Sequence, residues 1–266
     1  MPLLHILVIA LVQGITEFLP VSSSGHLVAV PALTGWEDQG GVIDVAVHVG
    51  TLVAVMLYFR RDLAEMVTGL GRARRRDGDP GARLLGYLLL ATVPIVIAGA
   101  LVEWSGLRAQ LRDLEVVGWA TIIFGLVLYA ADLLGMKLRR LEHLSAGSAV
   151  LIGLAQVLAL IPGTSRTGIT ISAARALGFE RRDAARFAML LSIPTIIAAG
   201  TLGVIEIHRA GDLRLGLDAL LAAAFSCLAA LGAIAVLMAW LRHASFTPFV
   251  IYRVAIGSAL LTWAYA

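Results

Sequence analysis

Six apolar stretches, each long enough to cross a bilayer, decide most of what this chain can become. They cover residues 42–59, 84–102, 116–134, 185–205, 217–241 and 248–266. A hydrocarbon core is about 30 Å thick, and an α-helix crosses it in about 20 residues. Lipid offers no hydrogen-bond partner to a bare backbone, so such stretches span as helices. With 59% hydrophobic and 15% charged residues, the chain is too apolar for a soluble domain. It reads as an all-α polytopic membrane protein, with 1–266 as a single integral membrane domain. The formal charge of +3 comes from cations in short loops. These are topology signals, with membrane lipids as neighbours and no nucleic acid as partner. Lone Cys227 lies in an apolar run, which rules out a disulfide within one chain. Residues 1–12 lack a basic n-region and a cleavage site, so no removed signal peptide is expected.

Two further stretches are too polar in the middle to span simply. Residues 1–36 are broken at Pro20-Val21-Ser22-Ser23-Ser24-Gly25, and residues 148–178 at 162–168. Each reads as helix, hydroxyl-rich loop, helix. Irregular backbone at membrane depth is tolerated only where protein or a water-filled cavity satisfies it. Both stretches are therefore expected to be re-entrant hairpins.

Loop charge orients them. Arg60, Arg61, Arg72, Arg74, Arg75, Arg76 and Arg83 follow the first span; Lys137, Arg139, Arg140, Arg181 and Arg182 lie between the third and fourth; Arg242 precedes the last. The intervening loops hold only Arg108 with Arg112, and Arg209 with Arg214. The positive-inside rule puts the rich loops in the cytoplasm and both termini outside. One hairpin then enters from each side, and three spans follow each. The hairpins also match in sequence, from Leu11-Val12-Gln13 through Pro20 to Gly25 and from Leu154-Ala155-Gln156 through Pro162 to Gly168, with one gap. An inverted-topology repeat is expected, with repeat 1 about 1–135 and repeat 2 about 148–266.

The breaks carry the chemistry. Gln13 and Glu17 stack on one helix face, four residues apart. Pro20 ends that helix. Ser22, Ser23 and Ser24 then offer hydroxyls, and the next helix aims its N-terminus at an anion. His26, in the first turn of that helix, can move a proton near neutral pH. In the second break Arg166 is a cation at membrane depth, a functional-site signal by default. Thr164, Ser165, Thr167 and Thr170 supply donors, and Gly163 and Gly168 allow close backbone approach. If the two breaks meet, one pocket holds an acid–base pair, candidate nucleophiles and an anion clamp. That set fits phosphoryl transfer. His48 and Asp44, at the mouth of the first span, read first as structural, with a cavity-facing position as the alternative.

Two motifs resemble those of the undecaprenyl-diphosphate phosphatase family, integral membrane enzymes linked to bacitracin resistance. They are Gln13-x-x-x-Glu17-Phe18-Leu19-Pro20-Val21-Ser22-Ser23-x-Gly25-His26 and Pro162-Gly163-x-Ser165-Arg166-x-Gly168-x-Thr170. His48-x-Gly50-Thr51-x-x-Ala54-Val55 and Phe246-x-Pro248-Phe249-x-x-Tyr252-Arg253 extend the match. The resemblance implies removal of the terminal phosphate from a polyprenyl diphosphate, yielding the lipid carrier of peptidoglycan synthesis. It implies a divalent cation (Mg2+ or Ca2+), the bacterial cytoplasmic (inner) membrane, a site facing the periplasm, and room for a homodimer. The family's first motif often begins with Glu where this chain has Gln13, so Glu17 is the expected anionic metal ligand. The expected catalytic set is Glu17, Ser23, His26 and Arg166. Gln13, Ser22, Ser24, Gly163, Thr164, Ser165 and Thr170 are expected to bind substrate. Ser23 is the expected nucleophile with His26 as its base, but His26 or water remain alternatives. Opposed broken helices are also transporter architecture, so a polyprenyl-phosphate flippase or anion transporter is the second reading.

Overall fold

The computed structural model describes residues 1–73, 78–106, 111, 113–135, 138–210 and 213–266, with backbone alone at 201–210 and 213–215. Arg74, Arg75, Arg76, Arg108, Arg112 and Lys137 lie outside the described residues, as do the side chains of Arg209 and Arg214. In chain order the long helices are α1 (Leu3–Thr16), α2 (Ser23–Thr34), α3 (Gly40–Tyr58), α4 (Arg60–Ala73), α5 (Pro80–Ser105) and α6 (Leu114–Leu134). They continue as α7 (Ala146–Gln156), α8 (Arg166–Ala176), α9 (Arg181–Ala210), α10 (Leu213–Trp240) and α11 (Thr247–Tyr265). Six of these, α3, α5, α6, α9, α10 and α11, contain segments long and apolar enough to cross a membrane. They coincide with the six stretches picked out by hydropathy.

Local chemistry sets the ends. Asp79 accepts from Gly81 N and Ala82 N ahead of Pro80 at the first position of α5, the N-cap arrangement a helix start favours. Asp113 caps α6 through Glu115 N. The basic segment after α3, expected as loop, instead begins with a helix. α4 buries Met66 and Gly69 against α5 and leaves Arg60, Arg61 and Arg72 exposed. Its apolar residues recur at helical spacing between the charges, so it folds on one face.

Ion pairs show which helix ends meet. At one end Asp132, closing α6, accepts from Arg175 Nε (3.0 Å), Arg181 Nε (2.7 Å) and Phe246 N (3.3 Å). Asp62 of α4 pairs with Arg186 of α9 at the same end. At the other end Met1 N bonds Asp218 (2.6 Å), and Tyr265 Oη bridges Trp119 and Glu115. Both termini therefore lie opposite the Arg181–Asp132 end.

α3 packs along α10 and α9, and α11 along α6. α1 lies on α10, and α7 on α5. The largest core cluster runs through Phe18, Val55, Leu128, Ile152, Ile171, Phe187 and Ile234. It reaches the first break through Phe18.

Candidate active site

The break between α1 and α2 turns sharply after Thr16. Ser22 takes φ 74°, a sparsely populated conformation for a residue with a Cβ, and its Oγ accepts from Gly25 N at 3.4 Å. The break between α7 and α8 ends identically. Ser165 takes φ 68° and its Oγ accepts from Gly168 N at 3.0 Å. Among the described residues these two serines are the non-glycine residues with positive φ. Such strain persists only where surrounding structure over-determines it, and it clusters at functional sites. Gly163, at φ 93°, lies so close to the Val117 carbonyl that a Cβ would collide with it. Here glycine is required twice, for the turn and for the approach to α6.

Glu17 joins the two breaks. Its Oε1 accepts from Arg166 Nη2 at 2.5 Å. Its Oε2 accepts from Ser23 Oγ at 2.5 Å and from Gln13 Nε2 at 2.9 Å. Thr167 Oγ1 donates to the Glu17 carbonyl at 3.0 Å, a second tie between the loops. Arg166 Nη1 donates to the carbonyl of Ser192 on α9 at 3.2 Å. The carboxylate is buried, as is most of the guanidinium. Such a pair is costly to take from water and depends on its extra hydrogen bonds. Those bonds are present here.

His26 makes its hydrogen bonds to Ser22 and Tyr252. Its Nδ1 is 2.7 Å from the Ser22 carbonyl, and its Nε2 is 2.6 Å from Tyr252 Oη. A carbonyl only accepts, so Nδ1 carries the proton and neutral Nε2 accepts from the tyrosine. The expectation paired Ser23 with His26 as its base. In this structure the Ser23 Oγ hydrogen bond goes to Glu17. An apolar pocket lined by Val21, Ala29, Ile256 and Leu260 adjoins His26.

The other candidates are placed as follows. Ser24 is exposed and lies 3.2 Å from Ser22 Oγ. Thr164 is fully buried and its Oγ1 has no hydrogen-bond partner; Gln13 Oε1 is in the same state. Thr170 commits its hydroxyl hydrogen to the carbonyls of Arg166 and Thr167 in its own helix.

Three residues that the sequence reading named only within the extended motifs, without a site role, lie beside the loops. His48, read as structural, brings Nε2 to 3.8 Å from Glu17 Oε2. Tyr252 closes on His26. Arg253 is fully buried and donates to Pro20 O (3.2 Å), Thr121 O (2.9 Å), Gly163 O (2.9 Å) and Thr164 O (3.0 Å). The available signal for all three was the polar residue inside an apolar span.

One guanidinium (Arg166), one carboxylate (Glu17), the Ser23 hydroxyl and two helix N-termini thus meet in one cluster. These are the group types that phosphate binding and serine activation call for.

Comparison with known proteins identifies the family. Residues 6–259 match the family model described as Bacitracin resistance protein BacA. The chain is 53% identical over 267 residues to the undecaprenyl-diphosphatase of Ruegeria pomeroyi, covering all of both chains. It is 52% identical to that of Dinoroseobacter shibae, again over all of both, and 49% identical to undecaprenyl-diphosphatase 1 of Rhodospirillum rubrum, over all of this chain and 96% of the relative. The chain therefore belongs to the bacitracin resistance protein BacA family.

Proposed function

We infer that this chain hydrolyses undecaprenyl diphosphate to undecaprenyl phosphate and inorganic phosphate. That reaction recycles the lipid carrier of peptidoglycan synthesis and confers bacitracin resistance. The observation that carries the reading is the Glu17 carboxylate, which holds Ser23 Oγ and Arg166 Nη2 at 2.5 Å each. A nucleophile, its base and an anion clamp meet at one point. The flippase or transporter alternative draws no support from the named relatives, all diphosphatases.

In the reaction Arg166 exchanges part of its grip on Glu17 for the terminal phosphate. Ser23 Oγ attacks that phosphorus as Glu17 takes its proton. The bond to the bridging oxygen breaks, and polyprenyl phosphate leaves. Water then releases phosphate from Ser23. His26, with Nε2 basic and turned toward Tyr252, would accept a proton from that water. Ser22, Ser24, Ser165 and the buried Thr164 hydroxyl supply hydrogen bonds around the phosphates. Thr170 steadies the first turn of α8.

A divalent cation is part of the proposal. Gln13 Oε1, buried and without a partner beside Glu17, is the observation that favours it. Gln13, Glu17 and Ser23 are oxygen donors, which suit Mg2+ or Ca2+. Among the described residues no three His, Cys, Asp or Glu side chains form a metal cluster. The protein would hold the ion through one carboxylate, with the diphosphate completing the shell. The ion would neutralise phosphate charge.

We place α1–α2 and α7–α8 as oppositely oriented re-entrant hairpins of an inverted repeat, in the inner membrane, with the site toward the periplasm and both termini outside. Several features support this. The four hairpin helices have 14, 12, 11 and 11 residues, too short for a core of about 30 Å. One constant offset relates Gln13 to Gln156, Ser22 to Ser165 and Gly25 to Gly168, so no gap is needed when Pro20 is set against Gly163. α1 on α10 mirrors α7 on α5. The termini lie opposite the arginine-bearing end. A homodimer is also proposed, to be checked by cross-linking in nanodiscs.

The deciding experiment is phosphate release from undecaprenyl diphosphate by detergent-purified protein, with Mg2+, Ca2+ or EDTA. Metal-dependent release is expected. No release from folded protein would sink the reading.

A further inference from the structure

We propose that Arg253 is the positioning residue that holds the two hairpin loops in register across the active site. The argument begins with its charge. Arg253 has no exposed surface and, among the described residues, no carboxylate partner. A buried cation is tolerated only when its protons are satisfied. Here backbone carbonyls alone satisfy them. Nη1 holds Pro20 O, where the first loop breaks. Nη2 holds Gly163 O and Thr164 O, where the second loop breaks. Nε holds Thr121 O, which anchors the fork to α6.

The place is built for a guanidinium. A Cβ at Gly125 would lie 3.1 Å from Arg253 Cβ and 3.2 Å from Nε, and one at Gly168 would lie 3.0 Å from Nη1. Two glycines thus leave room for one fork. Lysine has the charge but only three donors on a single atom, so it cannot grip both loops and α6 together. Glu17 and Ser23 ride on the first loop, and Arg166 begins the helix after the second. Their alignment is set by the loop-to-loop distance that Arg253 spans. Arg253 itself touches no reacting atom.

The test rests on the phosphatase reading for its readout. It uses purified full-length protein and farnesyl diphosphate, comparing wild type, Arg253→Lys and Gly125→Ala by kcat, KM and thermal unfolding. Arg253→Lys is expected to lose at least tenfold in kcat per folded molecule with KM within threefold, because misplacement by about 1 Å weakens the transition state. Gly125→Ala improves helix propensity while nudging the fork, so it is expected to keep its Tm and lose kcat severalfold. If Arg253→Lys fails to fold, Gly125→Ala decides. Wild-type kcat in folded Arg253→Lys, or in Gly125→Ala, overturns the proposal. An inactive wild type counts against the phosphatase reading instead.

Discussion

In the first loop Ser22 adopts φ 74° and caps Gly25, and Ser23 opens α2. In the second, Ser165 adopts φ 68° and caps Gly168, and Arg166 opens α8. The backbones are near copies, yet the residue after each strained serine differs in kind. One loop presents a hydroxyl against a carboxylate and the other a guanidinium. The twin scaffold fixes where the side chains project, while the side chains themselves differ, a hydroxyl in one loop and a guanidinium in the other. His26 has no counterpart in the second loop, where its place by the constant offset falls to Ile169, buried in the core. Likeness of backbone therefore does not extend to likeness of side-chain chemistry.

Breaking the link between the loops should have the largest effect. Arg166→Ala is expected to lower kcat/KM by about a thousandfold, the scale seen when a key charge-stabilising donor is removed. Arg166→Lys should recover part of that loss. Phosphate-release kinetics would measure both, and a loss under tenfold in Arg166→Ala would break the assignment of the second loop as the clamp.

The first loop's share can be sharpened by its neighbouring serines. Ser23→Ala should lose about a hundredfold or more in kcat, the cost of removing an activated nucleophile. Exposed Ser24→Ala should stay within about threefold, since it lacks the Glu17 contact. The reverse order would move the nucleophile. Tyr252→Phe should cost less than His26→Ala, because the ring keeps its Ser22 carbonyl bond; equal losses would make the tyrosine as essential as the histidine.

The shared scaffold can be tested through stability. Ser→Ala at 22 or 165 loses the cap and keeps the strain, costing about 1–2 kcal/mol. Ser→Gly loses the cap but relieves the strain, and should cost about 0.5 kcal/mol or less. Thermal unfolding in detergent would rank them. Similar ranking at both positions supports the twin scaffold, and opposite ranking argues against it.

The smallest effect is expected away from the loops. Asp79, capping α5, is held below the usual carboxylate range chiefly by its hydrogen bond from Arg72. Its folded-state pKa is depressed, so its stabilisation is complete above the unfolded value of about 4. It fades as pH falls through the lower folded value. Asp79→Asn keeps a capping oxygen. It should therefore flatten the acid limb of Tm against pH while leaving hydrolysis near neutral pH unchanged. An unaltered acid limb would assign that limb to other carboxylates.

Much of this was legible from the sequence. The six spans follow from hydropathy, because burial in lipid rewards uninterrupted apolar helix. The loop breaks follow from Pro20 and Pro162-Gly163 together with serines and threonines, which cannot rest in hydrocarbon. Gln13, Glu17, Ser23 and Arg166 were singled out in the same way, and the structure brings them together. Other contributors were harder to see. Arg253 sits in an apolar helix with no nearby sequence partner, and its carbonyl acceptors lie far away in the chain. His48 shows only its own helix until α3 packs beside Glu17.

The sequence by itself determined an all-helical chain with six apolar spans and two polar breaks, since periodicity, length and local turn chemistry are properties of neighbouring residues. Only the tertiary structure decided who partners whom. Ser23 falls to Glu17 and not to His26, Nε2 of His26 falls to Tyr252, and Arg253 ties the two loops. Each choice depends on how helices distant in the chain pack together, and no local rule encodes those distances.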